Sequence, residues 1–454
     1  MLETFQVLRI FMGHCRPIAL IASCSLLSGL SNLALADDWP QWMGPHRDGV
    51  YREAGIVAEI PDAGLPVKWR MPIAAGYSGP AVADGRVFVT DYVKESGTST
   101  NNSGGRDLLT GQERILCFDA QTGKELWKHE YSRPYNLSYA AGPRATPTVD
   151  GERVYMLGAE GDLTCLKSES GEVVWHRQLA EEFKTESPIW GHAAHPLVHG
   201  DHLYCLAGGA GSVVVALDKK SGAVQWQALS AAEIGYCPPT VQTLGGREQL
   251  VIWHAESING LDLKTGEVWW TYDLKPRYGM SIAAPQFSGN TMFASGIGEI
   301  SAVVEFDATG KPAETLWTGR PKIGVYSGNA TALIDGTNVY GADCGSGEYI
   351  AVDLLTGKRH WETFALTTGG ERRASHGTAF TVKHEDRFLL FTETGDLVIV
   401  KMSPAGFDEQ GRMHVLDPTN ECFGREVVWS HPAFAVRSMF ARNDKELVCI
   451  DLAE

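Results

Sequence analysis

Apolar and polar positions along this chain alternate in short runs, and glycine-containing turns separate the runs. One stretch shows the unit. Arg153-Val-Tyr-Met-Leu157 follows the turn Asp150-Gly151, Asp162-Leu-Thr-Cys-Leu166 follows Glu160-Gly161, and Glu172-Val-Val-Trp175 follows Ser170-Gly171. Apolar, β-branched runs between such turns predict consecutive hairpins. With Gly142 to Val149 as its first strand, the unit reads as a four-stranded antiparallel meander. Its last strand carries a tryptophan, and the same ending recurs at Trp69, Trp127, Trp175, Trp226, Trp270, Trp317, Trp361 and Trp429. From Trp127 to Trp361 the spacing is 44 to 51 residues. A period of that size built from short strands predicts an all-β fold, a β-propeller of four-stranded blades.

The count is eight. The last copy stops at Leu447-Val-Cys-Ile-Asp-Leu452 without a tryptophan strand, and the first is only such a strand, Val67 to Ile73. Together they complete one blade, which closes the ring and removes the free edge. Segments of small residues such as Ser78-Gly-Pro80, His192-Ala-Ala194 and Ser327-Gly-Asn-Ala330 predict the crowded strand nearest the axis. An Asp…Thr/Ser-Gly turn recurs at Asp119, Asp218, Asp262, Asp307 and Asp353. These carboxylates fall one per blade, too dispersed for joint acid–base chemistry. They suit a turn in which Asp and Thr bond to amides and Gly takes positive φ. Glu95 to Glu113 reads as a flexible loop within blade 1. Pro404 to Arg425, which stretches the gap from Trp361 to Trp429 to 68 residues, reads as a surface excursion.

Residues 1–36 read as an export signal. Arg9 and Arg16 precede the apolar Pro17 to Leu33, and Ala34-Leu-Ala36 is a small-x-small cleavage site. Ile21-Ala-Ser-Cys24 leaves lipidation at Cys24 as an alternative. Residues 37–64 form a leader expected to plug or flank the closing blade, and 65–454 the propeller. No other stretch is long and apolar enough to span a bilayer. The net charge of −16 argues against nucleic acid, whose affinity comes largely from neutralised phosphates. Seven cysteines follow the signal, an odd number. Cys117, Cys165 and Cys449 hold equivalent places in different blades, so they read as small core residues rather than a disulfide framework.

His192, His195, His199 and His202 cluster in sequence, but extended spacing sets His192 and His199 about 20 Å apart, so one shared metal site is not expected, and His192 with His195 alone is the alternative. The loops entering the inner strands converge on the channel mouth. They carry Tyr77, Arg144, Trp190, His192, Tyr236, Tyr326, Arg372, Arg373 and His376, a set suited to a small polar ligand or a protein partner. No phosphate loop, metalloprotease motif or nucleophile elbow is present, and no catalytic residue is assigned.

The strand–Asp-x-x-Thr-Gly-x-x-x-Trp unit resembles the PQQ-like, quinoprotein-type repeat over about residues 65–452. Together with the leader Trp39-Pro-Gln-Trp-Met-Gly-Pro-His-Arg-Asp-Gly49, it resembles exported bacterial PQQ-like propellers. The resemblance implies one of two activities. Quinoprotein alcohol and sugar dehydrogenases hold pyrroloquinoline quinone (PQQ) and calcium. Outer-membrane assembly propellers of the BamB type share the repeat without a cofactor and act as periplasmic scaffolds. The adjacent Cys-Cys pair of the alcohol dehydrogenases and a Cys-x-x-Cys-His haem site are both missing here. The expected function is therefore a binding or protein-interaction scaffold with no cofactor. A quinoprotein with a divergent site and a glycan- or polymer-binding protein are the alternatives.

Overall fold

The computed structural model describes residues 37–370 and 372–454; the predicted export signal and Cys24 lie outside the described residues. Eight antiparallel sheets follow one another, and in seven of them the four main strands run in chain order. The eighth takes Ala433–Ala435, Ser438–Arg442 and Glu446–Asp451 from one end of the chain and Val67–Pro72 from the other. Trp69 pairs there with Cys449. This is the predicted eight-bladed propeller. Among the described residues, helix is confined to Leu179–Glu182 and a 3-10 turn at Arg277–Gly279.

Tryptophans hold several of the blades to their neighbours. The indole Nε1 of Trp175 donates to Lys219 O at 3.3 Å, that of Trp226 to Leu263 O at 3.1 Å, and that of Trp317 to Leu354 O at 2.8 Å. Each acceptor directly follows the turn aspartate of the neighbouring blade. The turn glycine lies flat against the same ring. A Cβ on Gly222 would come within 2.8 Å of the Trp175 indole, and one on Gly266 within 2.5 Å of Trp226. Both glycines also have φ above +70°, so the position excludes a side chain twice over. The aspartates serve the turn: Asp218 Oδ1 accepts from the Ser221 amide at 2.8 Å and hydroxyl at 2.7 Å. These bonds hold its carboxyl below the usual range. Asp307 is followed by a turn one residue shorter. The tryptophan facing it, Trp270, donates instead to Gln249 of its own blade, at 2.6 Å. Cys117, Cys165 and Cys449 sit directly opposite Trp127, Trp175 and Trp69. All seven described cysteines are buried free thiols.

Four expectations need correction. Trp429 does not end a blade strand. The outer strand of the seventh blade is Gly406–His414, inside the expected surface excursion, and Gly411 stands at the tryptophan position. The leader fills that place: Ile60 packs within 2.8 Å of where a Gly411 Cβ would be, and its amide donates to Gln410 O at 3.0 Å. The expected loop at 95–113 is strand at both of its ends. Arg86–Ser96 and Asp107–Asp119 pair as one long hairpin, with Leu108 exposed and Leu109 buried in alternation. The small-residue segments are connectors rather than strands. Six inner strands begin immediately after Pro80, Pro147, Pro196, Pro239, Pro285 and Pro432, because proline has no amide to give the ladder. Finally, the leader does more than flank the closing blade. Trp39 bridges to Val82, Val149 N donates to Pro40 O at 2.8 Å, and Tyr51 N donates to Lys383 O at 2.8 Å. It therefore crosses the inner strands of three blades.

Candidate functional site

The inner-strand connectors converge on a cavity of about 750 Å³, within the size range of small-molecule sites. Tyr77, Arg144, Trp190, Tyr236 and His376, all singled out from sequence, line it together. The Arg144 guanidinium lies 5.3 Å from the Tyr77 ring centroid. It donates to Gly142 O at 2.7 Å, Ser138 O at 2.8 Å and Tyr139 O at 2.6 Å. Trp190 and Tyr236 meet edge to face at 5.6 Å.

The other four predicted residues stand elsewhere. His192 is buried against the Gly161 turn, neither ring nitrogen has a partner among the described residues, and burial lowers its pKa to about 4. The Tyr326 hydroxyl donates to Arg320 O at 2.8 Å and Ile323 O at 3.0 Å, so it ties down its own loop. Arg372 and Arg373 are exposed, and Arg373 Nε donates to Gly345 O at 2.8 Å. Within the histidine cluster, His195 reaches the cavity, while His199 and His202 face each other across a hairpin at the far end of the inner strand.

Sequence reasoning missed the floor and much of the rim. Trp42 of the leader lies beneath the cavity and stacks on His195 at 5.2 Å and 12°. His431 stands edge-on to His195 at 5.8 Å. Beneath them Arg47 is buried, 6% exposed. It donates to Pro239 O at 2.9 Å, His195 O at 3.2 Å and Gln41 Oε1 at 2.8 Å, and also to Pro196 O. Burial lowers its pKa to about 9, so it stays charged at neutral pH. The amide of Thr146 donates to His195 Nδ1 at 2.7 Å, which leaves the ring proton on Nε2. Burial holds His195 well below its usual pKa, and takes His431 to about 3 and His376 to about 4. All three are neutral imidazoles at pH 7.

The rim is aromatic and strained. Tyr139, Tyr278, His376 and Phe423 line the cavity, and all four have positive φ, between 47° and 59°. For bulky L-residues that backbone region is costly and persists only where the surroundings enforce it. His376 stacks on Phe423 at 5.2 Å and 16°. Phe423 sits at the turn between Asn420–Cys422 and Arg425–Val427, a two-stranded hairpin outside the blades. The tip of the long blade 1 hairpin reaches the same rim. Ser103 and Gly104 line the cavity, and Asn101 Nδ2 donates to Asn420 Oδ1 at 3.0 Å and Glu421 O at 2.9 Å.

Among the described residues, one carboxylate, the exposed Glu233, belongs to this lining. No three His, Cys, Asp or Glu side chains among the described residues gather as a metal-holding group. Calcium takes about six to eight oxygen ligands. What the residues around this cavity offer is stacking surface, imidazole and guanidinium.

The family model described as "Outer membrane protein assembly factor BamB" matches residues 111–363. The outer membrane protein assembly factor BamB of Shewanella oneidensis is 22% identical over 317 residues, covering 64% of this chain and 79% of that protein. BamB from Moraxella catarrhalis superposes with a TM-score of 0.56 at 16% identity, covering 85% of this chain and 99% of that one. The quinohemoprotein alcohol dehydrogenase of Comamonas testosteroni does so at 0.60 and 13%, covering 91% and 80%. These two structural likenesses concern the fold alone. With its repeat, its ring closure and a family match over more than half its length, the chain belongs to the BamB-type family of PQQ-like β-propellers.

Proposed function

We propose that this protein is an extracytoplasmic, non-enzymatic interaction scaffold whose working face is the connector face around the cavity. The observation that carries the reading is the strained aromatic rim. Tyr278 and Phe423 are 65% and 54% exposed, each is held at positive φ, and both stand over an aromatic cavity. Exposed apolar side chains in fixed positions beside a pit suit protein recognition, where aromatic anchors dominate binding energy. Membership of the BamB family supports a protein as the partner, and the export signal read at residues 1–36 supports a location outside the cytoplasm.

Photo-crosslinking in cells tests the reading. A photoreactive residue at Phe423 or Tyr278 is expected to capture a discrete protein partner, and one at Val224 on an outer strand is not. Equal capture at all three positions, or none at the rim, would remove the connector face as the interface. Reconstitution with pyrroloquinoline quinone and calcium is expected to give no dye-linked alcohol oxidation. Turnover would replace the scaffold reading with the quinoprotein one.

A further inference from the structure

We propose that the cavity is a ligand site for a compact organic anion with a ring-bearing, apolar body, held without a metal ion. The inference goes beyond the scaffold reading and concerns the pit beneath the rim, so the two can fail separately.

The charge comes first. The molecule is acidic overall, yet the cavity is flanked by two guanidinium groups whose partners among the described residues include no carboxylate. Arg47 lies beneath the floor and bonds three carbonyls and one amide oxygen. Arg144 lies on the wall and bonds three carbonyls. Arg47 is buried and Arg144 half-buried, and a cation withdrawn from water carries a desolvation cost that dipoles offset only in part and an opposing charge offsets more fully. Among the described residues the lining offers one carboxylate, the exposed Glu233, and neither guanidinium bonds to it; the neutral imidazoles of His195, His376 and His431 add no opposing charge. An anion entering the pit supplies it.

Shape gives the rest of the class. Trp190 against Tyr236, His376 on Phe423 and Trp42 on His195 present ring faces and edges on three sides, at separations suited to aromatic contacts. Tyr139, Tyr278, His376 and Phe423 come from four different connectors, and each holds a positive φ. Strain gathered on the rings of one cavity points to a positioned binding surface. The volume admits a molecule larger than a single ring.

Three ring-matched probes separate the contributions: 1-naphthaleneacetate, 1-naphthaleneacetamide and 1-naphthylethylamine, titrated calorimetrically into the full mature chain. The acetate is expected to bind about tenfold more tightly than the neutral amide, the gain typical of a charge-assisted contact, and the amine most weakly. Chelation of divalent ions should change nothing. Arg144→Gln is expected to remove the advantage of the acetate while leaving amide binding intact, and Arg144→Lys to restore it. Phe423→Ala should weaken acetate and amide to the same degree. No binding of the acetate, equal or tighter binding of the amine, or loss on chelation would each overturn the proposal. So would loss of both ligands in Arg144→Lys as well as Arg144→Gln, because Arg144 would then act by holding the carbonyls of 138–142. A failure of these titrations leaves the crosslinking result standing.

Discussion

The outer belt of the propeller and its cavity use aromatic residues in opposite ways. In the belt, indoles such as Trp175 and Trp226 lie on the turn glycine of the next blade and give their N–H to a carbonyl there. The backbone that needs positive φ at that contact is glycine's, so none of the strain falls on the tryptophan. In the cavity, the aromatic residues themselves hold positive φ, and two are largely exposed. The belt relaxes its backbone to maximise contact between blades. The rim accepts backbone strain to fix rings over a pit. The first arrangement stabilises the fold, and the second holds a surface ready for something else.

The largest effect should come from breaking the belt. Trp175→Ala is expected to destabilise by about 3 kcal/mol, the low end for a core tryptophan because the ring is only partly buried. Equal denaturation midpoints for the variant and wild type would show that the blades do not depend on the indole. On the partner side, Gly222→Ala is expected to cost about 2 kcal/mol, since a Cβ would press on the ring at 2.8 Å at an unfavourable φ. Asp218→Ala removes turn hydrogen bonds alone and should cost about 1 kcal/mol. If Asp218→Ala exceeded Gly222→Ala, the turn's own bonding would outrank its contact with tryptophan.

Acid should act on the buried histidines in and around the cavity before it acts on the belt. His192, His195, His376 and His431 have folded pKa values below that of an unfolded histidine, about 6.5. The unfolded chain therefore binds more protons below pH 6.5. The stability these groups contribute is complete above pH 6.5 and is lost as pH falls toward about 4. Each histidine that charges only on unfolding adds about 1.4 kcal/mol per pH unit to the slope in that window. The turn aspartates, with lowered pKa values, lose their contribution only below about pH 4. His431→Phe, which keeps a ring beside Phe380 at 4.2 Å, should flatten the slope between pH 6.5 and 4.5. An unchanged slope would assign the acid sensitivity elsewhere.

The same contrast explains what the sequence revealed. The belt is local in sequence: aspartate, glycine and tryptophan recur within about ten residues of one another, so the period, blade count and closure at Trp69 and Cys449 were readable. The cavity is assembled from single residues on many connectors and has no period. Position before an inner strand was a usable guide for Tyr77, Arg144, Trp190, Tyr236 and His376. It failed for Tyr326, whose hydroxyl is spent on its own loop, and for Arg372 and Arg373, which turn to the surface. Trp429 misled because the spacing of tryptophans says nothing of register. The blade 7 strand carries Gly411 in that position and borrows Ile60 from the leader. Trp42 and Arg47 were unreadable as cavity residues because the leader reaches the axis by crossing three blades.

The smallest predicted effect has the opposite sign, and it tests the rim most directly. Tyr278 has φ +59° and is 65% exposed, so replacing it forfeits little packing. The left-handed conformation costs a non-glycine residue about 1–2 kcal/mol, whereas glycine adopts it freely at an entropic cost of about 0.5–1 kcal/mol. Tyr278→Gly should therefore leave stability unchanged or raise it by up to about 1 kcal/mol. Its crosslinked partner, or its ring-bearing ligand, should be held less well. Chemical denaturation and binding, measured on the same preparation, decide the matter. A variant less stable by more than about 1 kcal/mol would mean that the tyrosine supports the fold as the belt tryptophans do, and the division between a relaxed belt and a strained rim would not hold at this residue.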